Sequence, residues 1–212
     1  MIHIKEFTFN VFSENTYVLY DELKSAFIID PGCQDGNERK ILSAFINKEG
    51  LNPIAIINTH CHVDHVLGNQ WCKETYTIPL WIPKGEEIML SRLPEIAAMY
   101  GVQTNPSPTP DRVLVEDEFL ELGSSSWRLI SCPGHSPASL CFYDEMESVL
   151  IAGDVLFYES IGRTDLPGGN HPLLLKNIRE KLFILPDITK VYPGHGPITT
   201  IGHERMYNPF LN

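Results

Sequence analysis

Six residues, Pro53–Asn58 (PIAIIN), form an apolar run that ends against three histidines and an aspartate in the stretch NTHCHVDH at 58–65. A short apolar run bounded by polar residues reads as a strand buried on both faces. This feature constrains the fold more than any other. The buried strand has to deliver ligand-type side chains directly at its end, which is how an α/β scaffold assembles a site. On an extended segment, residues two apart point the same way, so His60 and His62 can reach one ion. Cys61 then points away as a spacer. Asp64 and His65 follow at the opening of a helix, offset around its axis, and can serve a second ion beside the first.

Three further candidates sit in tight Gly/Pro contexts, each just after an apolar strand-like run. They are His135 in CPGHSPASL, Asp154 in IAGDVLF and His195 in YPGHGP. Sharp turns of this kind leave a side chain aimed off a strand end. Four strand ends therefore each deliver metal-type ligands. Taken singly, a His in a Gly-Pro turn is a surface or capping residue, and an Asp after a strand is a turn former. The histidine cluster changes that weighting, because two ions need more ligands than the cluster provides.

The rest of the chain reads as alternating elements. Strands are expected at 2–9, 15–20, 26–30, 53–58 and 80–82, and helices at 40–49, 66–75 and 86–100. A proline-bearing segment, GVQTNPSPTPD at 101–111, reads as a long loop within the domain, placed to lie over the site. Strands follow at 112–115, 119–122, 127–131, 139–143 and 148–152. A helix spans 171–182, with Pro172 in its first turn, and a last strand covers 188–192. This order predicts two sheets packed face to face with helices outside, in one domain spanning residues 1–212.

The ordered set T-H-x-H-x-D-H, P-G-H, G-D and P-G-H-G resembles the metallo-β-lactamase superfamily over nearly the whole chain. The resemblance implies an α/β fold, a four-layer αβ/βα sandwich of two mixed sheets flanked by helices. It implies that His60, His62 and His135 hold one ion, that Asp64, His65 and His195 hold the other, and that Asp154 bridges them. Donors of this kind without thiolates suit two divalent ions, zinc foremost, with iron or manganese as alternatives. Two such ions can share a hydroxide that is nucleophilic near neutral pH, with Asp64 and Asp154 orienting it.

Within the superfamily, GRTDLPGGN (162–170) and the tail GPITTIGHERMYNPFL resemble glyoxalase II-like thioesterases of the short, single-domain branch. That likeness implies hydrolysis of a thioester such as S-lactoylglutathione, whose thiolate leaves without strong acid help. A mononuclear iron persulfide dioxygenase, using His60, His135 and Asp154, is an alternative, as is a lactonase or other ester hydrolase. True β-lactamases of the superfamily typically lack the bridging aspartate. Arg163 and Tyr158 are candidate substrate contacts; an Arg163–Asp165 ion pair and a packed loop aromatic are the plainer readings. Arg205 stands like Arg163, and His3, His171 and His203 read as surface or packing residues.

A net charge of −11 argues against a nucleic-acid partner. No apolar run approaches the length of a membrane span, and the first residues, MIHIKEFTFNVF, lack the pattern of a secretory signal. The five cysteines form no C-x-x-C pair, which reads as a reduced, cytoplasmic protein; the glyoxalase II-like resemblance implies a small-molecule thioester as its partner.

Overall fold

Alternation and turn chemistry in the first residues set the edge of the first sheet. In the computed structural model, which describes residues 1–212, β1 (His3–Phe9) buries Phe7 and Phe9 while Lys5 and Thr8 face water. It pairs antiparallel with β2 (Glu14–Tyr20), which pairs antiparallel with β3 (Ser25–Ile29). The chain then crosses through α1 (Gly36–Glu49) to β4 (Asn52–Ile57), parallel to β3. Next come α2 (Val63–Val66), α3 (Asn69–Tyr76), β5 (Leu80–Pro83), α4 (Glu87–Ser91), α5 (Leu93–Met99) and β6 (Arg112–Leu114). The six strands lie in sequence order, with β3 to β6 parallel.

The apolar run does form a buried strand. Ala55, Ile56 and Ile57 are each 0% exposed, so both faces of β4 are covered. Ile28, Ile56 and Leu80 from the sheet join Leu42 and Ile46 of α1 and Cys72 of α3 in one apolar core.

The second sheet begins with β7 (Phe119–Leu122), β8 (Ser125–Ser131), β9 (Leu140–Asp144) and β10 (Val149–Gly153). A small hairpin follows, β11 (Leu156–Phe157) with β12 (Ser160–Ile161). Then come α6 (His171–Asn177), β13 (Lys190–Pro193), β14 (Thr199–Thr200) and α7 (Ile201–Tyr207). The strand order is β14-β13-β10-β9-β8-β7, and β13 runs parallel to β10. Leu150 and Val191 of the sheet pack with Leu174, Ile178 and Ile201 of the helices. The chain divides into two compact units, 1–114 with 122–124, and 115–121 with 125–212. Each contains one mixed sheet with helices.

Several boundaries differ from the sequence expectation for local reasons. The first helix starts at Gly36 rather than Lys40, because Asp35 and Glu38 form a reciprocal capping box. The helix expected over 66–75 is two, α2 and α3, broken at Leu67–Gly68. Gly68 lies so close to Pro31 and Cys33 that an added Cβ would sit 2.6 Å from each. The helix expected over 86–100 breaks at Arg92, ahead of Pro94 in the first turn of α5. The helix expected over 171–182 is α-helical only to Asn177 and continues as a wider turn over Ile178–Leu182. The β11–β12 hairpin and α7 were not expected. They are too short to show a period. No helix is long and apolar enough to cross a membrane.

Candidate metal centre

In both units, the ends of adjacent parallel strands place the candidate ligands. In the first unit β3 and β4 run side by side, and Asp30 N–H donates to the Ile57 carbonyl, so Asp30 meets the start of the histidine motif. The Asp30 carboxylate accepts the Thr59 N–H at 2.7 Å and the Thr59 hydroxyl at 2.6 Å. It also lies 3.1 Å from His65 Nδ1. The Thr59 hydroxyl in turn lies 3.1 Å from His60 Nδ1. Because that hydroxyl spends its proton on Asp30, His60 Nδ1 must donate to it. A carboxylate accepts only, so His65 Nδ1 donates to Asp30. Both rings can therefore turn the Nε2 lone pair toward a metal, the arrangement that orients imidazole ligands in metal sites.

The His60 ring centroid is 4.8 Å from that of His62 and 4.2 Å from that of His65. His65 Nε2 is 3.6 Å from Asp64 Oδ2. The N–H of Cys61, between the first two histidines, donates to the buried Glu86 carboxylate at 3.0 Å. Cys61 itself packs into the apolar core, and burial, reinforced by Glu86, pushes its thiol well above the ordinary range. A thiol held protonated is a poor metal ligand. Donor atoms of Asp30, His60 and His65 lie within 4.8 Å of one another, yet Asp30 is occupied by its hydrogen bonds and acts as an orienting group. Glu14 is fully buried 3.9 Å from His65 Nδ1, and burial drives its carboxyl well upward.

In the second unit, Gly194 N–H donates to the Gly153 carbonyl, joining the ends of β10 and β13. Asp154 and His195 leave those two ends. Asp154 Oδ2 lies 3.5 Å from His195 Nε2 and 3.4 Å from His135 Nε2. His135 Nδ1 donates to the Arg163 carbonyl at 2.8 Å, so this ring too offers Nε2. The turn before His135 needs Gly134, whose φ is +135° and whose Cβ would sit 2.6 Å from the Leu174 backbone nitrogen.

These separations fit metal ligation. Two donors each about 2.1 Å from one ion at tetrahedral angles lie about 3.4 Å apart. The donor pairs above are 3.4, 3.5 and 3.6 Å apart. The donors are imidazole nitrogens and carboxylate oxygens, suited to zinc, iron or manganese.

The substrate-contact candidates are engaged elsewhere. Arg163 forms a fork on Asp165, with both contacts at 2.7 Å, and holds that carboxyl down at about 2. Tyr158 stacks on His203, centroids 4.9 Å apart, and His203 meets Tyr207. Arg205 clamps the tail onto Asp187 and the Phe183 carbonyl. His3 stacks on Tyr20, and His171 opens α6 at the surface. Sequence reasoning missed Asp30, Glu14 and Glu86. In the sequence Asp30 stands only as the end of the strand expected over 26–30, and its left-handed φ of +46° turns the chain there.

Asp30→Asn is expected to weaken metal binding by about 10–100-fold. The new amide presents a donor to either His65 Nδ1 or Thr59, so one bond is lost and the His65 tautomer is no longer fixed. Chelator competition on the purified variant measures this, and an unchanged affinity would remove the orienting role.

A family model described as the metallo-β-lactamase superfamily matches residues 9–195, across both units. The chain is 36% identical to the hydroxyacylglutathione hydrolase GloC of Haemophilus influenzae, covering 95% of this chain and 94% of that one. It matches the crystal structure of the BLEG-1 B3 metallo-β-lactamase with TM-score 0.91 and 38% identity, covering 99% of this chain and 100% of the other. It also matches the crystal structure of TTHA1623 in a di-iron-bound form, with TM-score 0.88 and 34% identity over 98% of this chain and 100% of that one.

Proposed function

The chain belongs to the metallo-β-lactamase superfamily, and from that premise we propose that it is a dinuclear metallohydrolase that cleaves a thioester such as S-lactoylglutathione. His60, His62 and His135 would hold one divalent ion, and Asp64, His65 and His195 the other, with Asp154 shared between them. The observation that carries the dinuclear reading is the position of Asp154 Oδ2, almost equidistant from His135 Nε2 and His195 Nε2. A carboxylate oxygen placed this way suits a bridging ligand. Zinc, iron or manganese fits the donor set, and a similar structure in a di-iron-bound form supports iron.

When bound, the ions supply an activated water near neutral pH and polarise the thioester carbonyl. The chain's own residues do the rest. Asp30, Thr59 and the Arg163 carbonyl fix three imidazoles in the tautomer that exposes Nε2. Asp64 and Asp154 orient the attacking water and accept its proton. The leaving thiolate needs no strong acid, which agrees with a site of histidines and carboxylates without a spare general acid. The choice of thioester rests on the likeness to a hydroxyacylglutathione hydrolase over nearly both full chains. β-Lactam hydrolysis is the second reading, favoured by the likeness to a B3 enzyme.

One experiment separates these. The purified protein is analysed for metal per chain, then assayed with S-lactoylglutathione, nitrocefin, and glutathione persulfide in an oxygen electrode. Two ions per chain and turnover of the thioester above the others is the expected result. Nitrocefin as the best substrate would replace the proposal with the second reading. A single iron with oxygen uptake would overturn hydrolysis altogether.

A further inference from the structure

Beside α2 the first unit carries a cleft of about 760 Å³ that the metal chemistry does not use. Its size is within the range of small-molecule sites, about 300–1,000 Å³. Arg39 of α1 and Trp71 of α3 line it, with Gln34, Gln70 and Glu74, and residues 101–107 form one wall. The Arg39 guanidinium lies 6.0 Å over the Trp71 ring. Its Nε is buried with no acceptor. The nearby carboxylates are committed elsewhere: Glu38 accepts the N–H groups of Asn10 and Gln34, and Glu74 accepts from Gln70. A buried N–H without an acceptor is a cost that an incoming acceptor removes.

We propose that this cleft is a binding site for a small carboxylate-bearing molecule, with Arg39 as its anchor and Trp71 as its platform. The planar guanidinium fork matches a carboxylate bidentately, and the indole face accepts a flat or apolar group. One arginine supplies one positive charge, and Glu74 on the same wall repels an anion of higher charge, so a carboxylate suits the cleft better than a phosphate. The amides of Gln34 and Gln70 offer further neutral hydrogen bonds.

The cleft is tied to the metal motif within the same unit. Asn69 Nδ2 donates to Ser107 Oγ on the cleft wall at 3.3 Å and to Asn58 Oδ1 at 2.9 Å. Asn58 Nδ2 donates to the His65 carbonyl at 3.1 Å. The carboxylate comes from one of two sources: the thiol-bearing half of a thioester substrate, or an independent small acid.

The test uses the metal-loaded, ¹⁵N-labelled full chain, titrated separately with S-methylglutathione and phenylacetate. The readout is the indole N–H signal of each tryptophan. Trp127 is buried and Trp81 lies under Arg112, so they serve as internal references. The expected result is a saturable shift of the Trp71 signal alone, with binding about tenfold weaker or worse in Arg39→Met and intermediate in Arg39→Lys. Response to S-methylglutathione assigns the cleft to the substrate's thiol half, and response to phenylacetate alone to an independent acid. No Trp71 shift with either probe up to about 10 mM overturns the proposal, as does wild-type binding by Arg39→Met with unshifted Trp81 and Trp127 signals. The readout is binding rather than turnover, so it stands or falls apart from the hydrolase reading.

Discussion

Asp154→Ala is expected to bind one metal ion per chain instead of two and to lose turnover on the order of 10³-fold. Its Oδ2 lies near both His135 and His195, at 3.4 and 3.5 Å. Without it the two imidazoles remain, but no single oxygen links the ions they would hold. The variant should fold. Asp154 ends a strand whose core residues, Leu150 and Ala152, pack without it. Emission spectroscopy gives the metal count, and a thioester assay gives kcat. A variant retaining two ions and wild-type kcat would defeat the bridging assignment. Retaining two ions with lost turnover would instead confine Asp154 to orienting the water.

Much of this candidate centre was legible in the sequence because its candidate ligands are local. His60, His62, Asp64 and His65 fall within one strand exit and one helical turn, so backbone period alone states which side chains share a direction. The Pro53–Asn58 run announced its own burial. What escaped notice was set by contacts distant in sequence. Asp30 acquires its role only because β3 and β4 are parallel neighbours, which brings residue 30 against residues 59 and 65. Glu86 reaches the Cys61 N–H across 25 residues. Neither relation leaves a periodic trace. The capping box at Asp35–Glu38 was different in kind: D-x-x-E ahead of an apolar-periodic segment is a readable signal, and it moves the helix start to its observed place. Arg163 shows a relation that is local in sequence. Of the two readings it offered, substrate contact or a pair with Asp165 two residues on, the structure forms the pair.

Gly162→Ala is expected to be the most damaging single methyl in the second unit, lowering Tm by about 5–10 °C. The β11–β12 hairpin leaves directly after Asp154 and returns to it. Gly162 N–H donates to the Val155 carbonyl at the close. A Cβ on Gly162 would stand 1.9 Å from the Asp154 carbonyl oxygen and 3.0 Å from His135 Cβ. The first of these is main chain, so no rotamer change relieves the overlap. Either the hairpin opens or the Asp154 backbone shifts, carrying its carboxylate away from the histidines. Stability and metal uptake therefore fall together, and this pairing sets the variant apart from ordinary overpacking. Gly36→Ala is the matched control. Nothing lies within 4 Å of a Cβ there, and the site opens α1. That change is expected to be neutral or to stabilise by up to about 1 kcal/mol. Calorimetry with a metal count on both variants makes the comparison. A Gly162→Ala protein that melts like wild type and binds two ions would mean that the hairpin does not press on Asp154, and that GRTDLPGGN holds its place near the site for a reason other than packing.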